Sequence, residues 1–544
     1  MNLESRSVPE KENNRENRSE SIKRVDWIVA IFLFLVVVLQ GLHTIDAVGV
    51  SWDEPNYYDI TKQYLNWAAR IGDGDSFDPQ TLEKTFGLKP KKNDHPTLTK
   101  IISATTCALF KNSLGGFRAY RLSAPLLFGI LVAIIYISRT RAWGRTAGIA
   151  SAFFVAVIPR FFAHNHIAAT DAPLCLFWLV AVLAFEQATR KRSMIAPAAI
   201  ACGLVMSVKF TGFLVFIPIA AWAVLYRRKK MWPPLVAVVL VAPLVFLALQ
   251  PAMWNDPAGD IVEFIRMSVT RAKWNPRWMV FLGRVHNFSP PWYYAPFMVL
   301  VTLPEVILGM FIVGLGHFTY KKCADPVIGL CAINFIFFLA ITVPPSAPVF
   351  DGVRLFLPSF MFAGIIAGYG LDRTIKWILK KVEDGKLFSG AISPRSAAAI
   401  VAAVVFIGSA SPLMGIYPYG LEYYNGLIGG VDGARETGME TSYWWTALNG
   451  SSLKKIDKTL PPNASLRFAP MDRYMWKLYI EEGMLGKDRE ISSGTDFDYI
   501  LVLSRPYWNY ENLFRYIGVP HRMLAPVDSL IVDGVPFWIL YRRI

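Results

Sequence analysis

The chain has 544 residues, of which 53% are hydrophobic, with a mean hydropathy of +0.35 and a formal net charge of +15. Long apolar runs separated by short charged loops exclude an ordinary soluble protein and are typical of a polytopic membrane protein. The charge does not indicate a nucleic-acid partner, because the lysines and arginines fall mostly in short loops between apolar runs, where they set topology. The five cysteines lack metal-ligand spacing, so we expect neither a disulfide framework nor a metal site.

The N-terminal segment is polar, and an apolar run follows it. Residues 1–25 are rich in Glu, Arg, Asn and Ser and predict a disordered cytoplasmic tail. The run from Trp27 to Val48 is long enough to span a bilayer and follows Lys23 and Arg24. We therefore predict a retained first helix whose N-terminus is cytoplasmic.

A polar external loop, residues 50–116, comes next. Its segment 60–71 has apolar residues at helical spacing and predicts an amphipathic helix at the membrane surface. The apolar run at 101–110 corresponds to roughly 15 Å of helix, which is too short to span. The loop is therefore predicted to stay on one side of the membrane.

The basic loops predict the remaining topology. The run from Ser193 to Tyr226 is too long for one span, and two short helices that turn at Lys209 keep the positive charges at 227–230 on the cytoplasmic side. We predict about eleven spans within a transmembrane domain of residues 26–416, with a second external loop at 251–291. After the first span they cover 117–138, 147–162, 171–188, the two halves of 193–226, 233–249, 292–318, 326–343, 354–371 and 394–416.

Residues 417–544 have a different pattern. Segments 465–469, 499–503 and 535–541 predict strands, and segments 474–483 and 511–517 predict helices. This alternation predicts a small α/β domain on the outer, periplasmic face. The chain has no P-loop or dinucleotide fingerprint, which argues against a nucleotide-driven enzyme.

Polar side chains at the loops and span ends fall on one predicted face, whereas the basic clusters fall on the other. Ionised groups at a membrane boundary are costly unless water, a partner or a function holds them there. Their common side predicts one shared site. Its candidate members are Asp53, Glu54, His95, His164, His166, Asp171, Lys209, Arg284, His286, Asp351 and Arg354.

The carboxylates are candidates for acid–base chemistry. Asp53 and Glu54 are adjacent, so on a helix they point about 100° apart, and one can face a substrate while the other holds a loop. A charge pair at a helix N-terminus ahead of Pro55 is the alternative interpretation. Asp171, at the start of a span, is either a wall of the same site or a capping residue.

Other side chains are candidates for binding. Lys209 lies between two apolar helices and needs an anion, either a bound phosphate or a carboxylate such as Asp53 or Asp171. Further candidate phosphate contacts are His95, Arg284 and Arg354. Candidate acceptor or sugar contacts are Tyr57, His164, His166 and Trp444, although Trp444 also suits an interfacial anchor.

These motifs, in this order, resemble the GT-C superfamily of integral-membrane glycosyltransferases. The nearest match is the protein-O-mannosyltransferase-like branch, glycosyltransferase family 39, with the related lipid A aminoarabinose transferases. The resemblance covers most of residues 26–445. It rests on the Asp-Glu pair after the first span, His95-Pro96-Thr97-Leu98, Thr170–Leu174, Lys209–Gly212, Asp351–Arg354 and the stretch from Tyr419 to Trp444. The chain departs from the family at Thr97, where a second Pro is common, and at His95, where some relatives have Lys, so that a phosphate contact there depends on pH.

The resemblance implies transfer of a hexosyl or pentosyl group from a polyprenyl-phosphate donor to a periplasmic acceptor at a bacterial inner membrane. It implies that Asp53 is the base or orients the acceptor and that Asp171 lines the same cavity. It also implies that Lys209 and His95 stabilise the lipid phosphate. Cationic neighbours suffice for such an anionic leaving group, so neither a cofactor nor a divalent metal is expected.

The acceptor and two other functions stay open. A glycolipid, a lipopolysaccharide-type glycan and a protein hydroxyl all fit as acceptors. A periplasmic glycan polymerase or ligase would share the many spans, but it would lack an Asp-Glu pair directly after the first one. A transporter would place polar residues at mid-membrane depth, whereas here they cluster at one predicted face.

Overall fold

The computed structural model describes residues 21–89, 93–271, 277–287, 289–345, 347–385, 393–470, 473–492, 494–504 and 510–544. Most of the predicted tail, residues 1–20, lies outside the described residues. The architecture is a polytopic α-helical membrane part followed by a small C-terminal α/β domain.

Eighteen α-helices are described up to residue 416. The first nine are α1 (Arg24–His43), α2 (Glu54–Ala69), α3 (Pro79–Phe86), α4 (Leu98–Leu114), α5 (Gly116–Arg121), α6 (Ser123–Trp143), α7 (Arg145–Val157), α8 (Pro159–His164) and α9 (Asp171–Ala188). The next nine are α10 (Ile195–Met206), α11 (Phe216–Arg227), α12 (Trp232–Ala248), α13 (Pro257–Val269), α14 (Tyr294–Thr302), α15 (Glu305–Tyr320), α16 (Pro326–Ala340), α17 (Leu357–Glu383) and α18 (Pro394–Ile416).

Among the described residues, six segments are helical, long and apolar enough to cross a membrane, or seven if one bent pair is a single span. The six are α1, α5 with α6, α9, α11 with the 3-10 turn before it, α17 with the 3-10 turn before it, and α18. The shorter apolar helices are α7, α10 with the 3-10 turn before it, α12 and α16. Every predicted span therefore coincides with an apolar helical segment.

The predicted span over 292–318 corresponds to two helices with a sharp bend between them. α14 and α15 form the bent pair and meet at 118°. Leu303 is extended, with φ −82° and ψ 136°, and Pro304 follows it. A residue before proline is pushed out of the helical region, and proline has no N–H to donate, so the helix breaks there.

The prediction of two helices in 193–226 is confirmed. α10 ends at Met206, and Lys209 is extended before a 3-10 turn that leads into α11. The turn packs tightly on the end of α10, because a Cβ on Gly212 would lie 2.0 Å from the Val205 carbonyl oxygen. Only glycine fits at such a close approach.

The core of the membrane part packs around α17. Every residue from Leu357 to Asp372 is buried. α7 packs directly against α17: a Cβ on Gly368 of α17 would lie 2.4 Å from the backbone nitrogen of Ser151 in α7. Arg354 lies in the turn that begins this span, which is the most buried of the six candidate spans in the described residues, so a well-packed helix fixes the position of that guanidinium.

The loop segments are more ordered than the sequence suggests. The predicted amphipathic helix at 60–71 overlaps α2, which begins earlier, ends at Ala69 and buries Tyr57, Tyr58, Ile60 and Tyr64 on one side. α4 is longer than its predicted apolar run and is not among the segments that pass as spans. In the second loop, strands β1 (Trp278–Phe281) and β2 (Arg284–Asn287) form an antiparallel hairpin that the sequence analysis missed.

The described residues of the C-terminal domain form one mixed sheet. Its strands are β3 (Ser465–Ala469), β4 (Glu490–Ile491), β5 (Tyr499–Leu503), β6 (Leu524–Val532) and β7 (Val535–Arg543). Their order is β4-β3-β5-β7-β6; β3 runs parallel to β4 and β5, and β7 runs antiparallel to β5 and β6. The helices are α19 (Gly430–Glu436), α20 (Gly450–Thr459), α21 (Arg473–Glu481) and α22 (Tyr510–Ile517). The three predicted strands correspond to β3, β5 and β7, whereas β4 and β6 were not predicted.

Candidate functional site

A cavity of about 950 Å³ lies between the two long loops, the segment 350–354 and the C-terminal domain. Trp52, Asp53 and Tyr57 line it at the start of α2, and Tyr474 and Met475 of α21 line it from the C-terminal domain. Its other charged lining residues are Asp59, Lys84, Lys89, Asp94, Arg271, Arg277, Asp351 and Arg354. The cavity therefore combines aromatic rings with both signs of charge.

Asp53 occupies the N-cap position of α2, but its carboxylate does not cap the helix. It instead accepts a hydrogen bond of 2.9 Å from Nη2 of Arg354. Its side chain is 24% exposed, so the carboxylate is held by a cation on one side and open to the cavity on the other.

Glu54 points away from the cavity. It is fully buried, and Arg121 donates to both of its carboxylate oxygens, from Nε at 2.8 Å and from Nη2 at 2.6 Å. The other N–H groups of Arg121 donate to the carbonyl oxygens of Ile45, Val48 and Gly49. The two adjacent carboxylates therefore diverge, and Glu54 ties α2 to the chain segment that precedes it.

Arg354 is the centre of a buried charge network. Beyond Asp53, its Nε lies 3.2 Å from a carboxylate oxygen of Asp171, and its Nη1 donates to Asp351 at 3.3 Å. Asp171 in turn pairs with the ammonium of Lys209. Removing one partner from such a buried network leaves an uncompensated charge, which costs about 3–5 kcal/mol. The network therefore fixes the direction of each side chain in it.

The structure brings Asp53, Asp171, Lys209 and Arg354 into contact, but only Asp53 and Arg354 of these four line the cavity. Tyr57 also lines it. Asp171 and Lys209 lie behind Arg354 and are buried.

Four of the other predicted residues lie away from the cavity surface. His164 and Trp444 are buried behind it, with ring centroids 5.9 Å apart. His166 is buried beside Thr44, with its Nε2 2.8 Å from the threonine hydroxyl. Arg284 is exposed on the β1–β2 hairpin and is not a lining residue.

His95 is buried beside the cavity and is uncharged at neutral pH. Its pKa is lowered to about 3, chiefly by burial; the positive charges of Arg271, Lys209 and Lys100 contribute to this shift, and Asp94 opposes it. A neutral imidazole is not a cationic phosphate contact. A cation close to His95 that does line the cavity is Arg271, which pairs with Asp94 at 2.6 Å.

Sequence reasoning missed Arg271, Arg121 and Lys100. Lys100 is buried and donates to the Asn93 side chain and to the His95 carbonyl oxygen. Burial lowers its pKa to about 7. The sequence did contain a signal for Lys100, because a lysine in the first turn of a helix interacts unfavourably with the helix dipole and therefore indicates a specific partner. Arg271 follows α13 in the loop with no comparable pattern.

The described residues contain no group of three or more His, Cys, Asp or Glu side chains arranged to hold a metal ion. The carboxylates around the cavity have cationic neighbours instead: Arg354 for Asp53 and Asp351, and Arg271 for Asp94.

Residues 94–254 match the Dolichyl-phosphate-mannose-protein mannosyltransferase family. No curated protein matches the chain. Among solved structures, apo ArnT from Cupriavidus metallidurans matches with a TM-score of 0.52 and 16% identity, over 94% of this chain and 97% of that one. ArnT bound to undecaprenyl phosphate matches with a TM-score of 0.49 and 15% identity, over 95% of this chain and 98% of that one. The apo oligosaccharyltransferase of Archaeoglobus fulgidus matches with a TM-score of 0.47 and 12% identity, over 85% of this chain and 64% of that one.

At 16% identity, the likeness to apo ArnT concerns the fold, and it extends over nearly the whole of both chains. The family match adds an independent sequence signal over residues 94–254, which contain His95, Asp171 and Lys209. The chain therefore resembles membrane glycosyltransferases in two ways, in sequence over residues 94–254 and in fold over nearly its whole length.

Proposed function

We propose that the protein transfers a sugar from a polyprenyl-phosphate donor to an acceptor hydroxyl, with Asp53 as the general base. The observation that carries this proposal is the Asp53 carboxylate, which faces the cavity while Arg354 holds it from behind. The matched family is named for a dolichyl-phosphate-linked mannose, which supports a polyprenyl-phosphate donor.

The proposed reaction exchanges one bond at the anomeric carbon of the donor sugar for another. The acceptor hydroxyl donates a hydrogen bond to Asp53, attacks the anomeric carbon and gives its proton to the carboxylate. The bond between that carbon and the phosphate oxygen breaks, and polyprenyl phosphate leaves as an anion. Arg354 holds the Asp53 carboxylate in a fixed direction at the cavity, and this orientation places the base for proton transfer.

The leaving phosphate needs positive charge, and Arg271 is the side chain we assign to it. Its side chain is only 18% exposed and is oriented by Asp94, whereas Lys84 and Lys89 on the same cavity are surface side chains. A guanidinium binds phosphate in a defined geometry. Lys209 and His95 are less suited to this contact, because Lys209 is paired with Asp171 and His95 is neutral.

The C-terminal domain contributes one wall of the cavity, through Tyr474 and Met475. An acceptor bound between this wall and Asp53 would present its hydroxyl to the carboxylate. A glycolipid, a lipopolysaccharide-type glycan and a protein hydroxyl are the acceptor classes we propose. We also propose that the cavity faces the periplasm of a bacterial inner membrane.

The experiment compares Asp53→Asn with the wild type in membranes that lack the native enzyme. The assay follows transfer of a radiolabelled sugar from a synthetic polyprenyl-phosphate hexose or pentose into the membrane and protein fractions. Loss of a general base predicts a rate at least ~100-fold lower. Asp432→Asn is the matched control, because the Asp432 side chain is half-exposed and pairs only with neighbouring Arg435 among its described ion pairs. An active Asp53→Asn enzyme would refute the assignment.

A further inference from the structure

We propose that Trp444 is a positioning residue for the Arg354–Asp53 pair, and that its neighbour Trp445 contacts substrate. The inference rests on the function proposed for Asp53. It separates two adjacent tryptophans that look equivalent in the sequence, and it assigns them effects on different kinetic constants.

The two tryptophans form a strained turn. Trp444 has φ 54° and Trp445 has φ 62°, and both values lie in the left-handed region that bulky side chains rarely adopt. Such strain persists only where surrounding contacts hold it, and it concentrates at functional sites.

The surrounding contacts connect this turn to the backbone that carries Asp53. The N–H of Trp52 donates to the Trp444 carbonyl oxygen at 3.3 Å, and the N–H of Gly49 donates to the Thr446 carbonyl oxygen at 3.0 Å. The turn is therefore hydrogen-bonded to residues 49–52, directly before Asp53.

On its other side the turn is held by Glu422. The buried carboxyl group of Glu422 accepts from the N–H of Tyr443 at 3.5 Å and from the Thr446 hydroxyl at 3.3 Å. These two donors flank the tryptophans in sequence. The strained conformation is thus fixed from both ends.

The ring of Trp444 packs on the Arg354 guanidinium, whose central carbon lies 4.1 Å from the ring centroid. Trp444 is 2% exposed and is absent from the cavity lining, so it supports the cation rather than touching a sugar. Arg354 has carboxylates in three directions, and a flat ring face restricts the plane of the guanidinium among them. This restriction keeps Nη2 directed at Asp53.

Trp445 has a different environment. It lines the cavity, and its ring centroid lies 4.3 Å from that of Trp52. Two tilted indoles at the cavity wall form an apolar surface suited to the face of a sugar ring. Changes at Trp445 should therefore alter substrate binding more than the chemical step.

The test uses the purified full-length enzyme with the synthetic donor described above and native membrane extract as acceptor. We expect Trp444→Leu to lower kcat roughly tenfold with little change in the KM for the donor, and Trp444→Phe, which keeps a ring face, to retain most of kcat. Trp445→Leu should raise KM with a smaller effect on kcat. Thermal unfolding of each variant reports whether it is folded.

Equal kcat values for Trp444→Leu and Trp444→Phe in folded protein would overturn the proposal, because a space-filling role makes no distinction between them. If Trp444→Leu does not fold, a double-mutant cycle of Trp444→Phe with Arg354→Lys replaces it, and additive effects on kcat would overturn the proposal. An inactive Asp53→Asn with a fully active Trp444→Leu refutes this inference alone. An active Asp53→Asn refutes the proposed function as well.

Discussion

Glu54 and Asp53 differ by one position, yet the structure predicts opposite consequences for their amide variants. Glu54 is 0% exposed and Arg121 is 2% exposed, and the carboxylate is the one charged partner of that guanidinium in the described ion pairs. In Glu54→Gln an NH₂ group replaces one of the two oxygens, and each of them accepts a hydrogen bond from Arg121. Two donors then face each other, and a buried cation loses its counter-charge. We expect a loss of about 3–5 kcal/mol of stability.

The assay is the apparent thermal unfolding midpoint in detergent, measured with the transfer rate of the folded fraction. Glu54→Gln should lower the midpoint by several degrees while changing turnover far less than Asp53→Asn does. Glu481→Gln is the matched control, because Glu481 is 46% exposed and its pair with Lys477 is worth less than about 1 kcal/mol. A normal midpoint for Glu54→Gln together with abolished turnover would refute this division of roles and make Glu54 the catalytic carboxylate.

Two further predictions concern the cavity wall and the anchor of the tryptophan turn. Arg271→Gln should lower the transfer rate at limiting donor concentration about tenfold, since a charge-assisted contact to phosphate is lost. The control, Arg284→Gln on the exposed hairpin, should leave this rate unchanged. Equal transfer rates for the two variants would exclude Arg271 from donor binding. Burial raises the pKa of Glu422 from 4.5 to about 8. Between these values the folded protein holds a proton that the unfolded chain has released, so stability falls as pH rises from about 4.5 to 8. Glu422→Gln should flatten this part of the pH dependence of the unfolding midpoint, and an unchanged slope would show that Glu422 does not cause it.

The sequence predicts the helices of the membrane part well, because a long apolar run has few alternatives to a helix in lipid. The helix break at Leu303 was missed although Pro304 indicates it. Mean hydropathy over a window of residues hardly changes at a single proline, so the run was treated as one span. Strand β6 was missed because most of its side chains are partly or fully exposed and give no buried pattern. Its turn to β7 did carry a signal: Asp533-Gly534, with φ 47° and 77°, is the pair that two-residue hairpin turns favour.

The site is harder to predict for a physical reason. Charge and position along the chain show which residues need partners, as for Asp53 and Lys209, but they do not show which partners are chosen. Arg354 lies 301 positions from Asp53, and their contact depends on how α17 packs in the core. Likewise, nothing near Glu54 in the sequence indicates Arg121. The role of His95 was open for the same reason, because its charge depends on burial, which the sequence does not give.

The pairing of Asp53 with Arg354 has a consequence for how the proposed base works. Arg354 sets the orientation of the Asp53 carboxylate at the cavity. Its advantage is geometric: Arg354 fixes one oxygen and leaves the other toward the cavity, and Trp444 together with Asp171 and Asp351 restricts the motion of Arg354. A well-placed carboxylate suffices when the leaving group is an anion already stabilised by a cation, because the acceptor proton need move only late in the reaction. The buried network behind Arg354 is therefore best understood as the means of holding one exposed oxygen still.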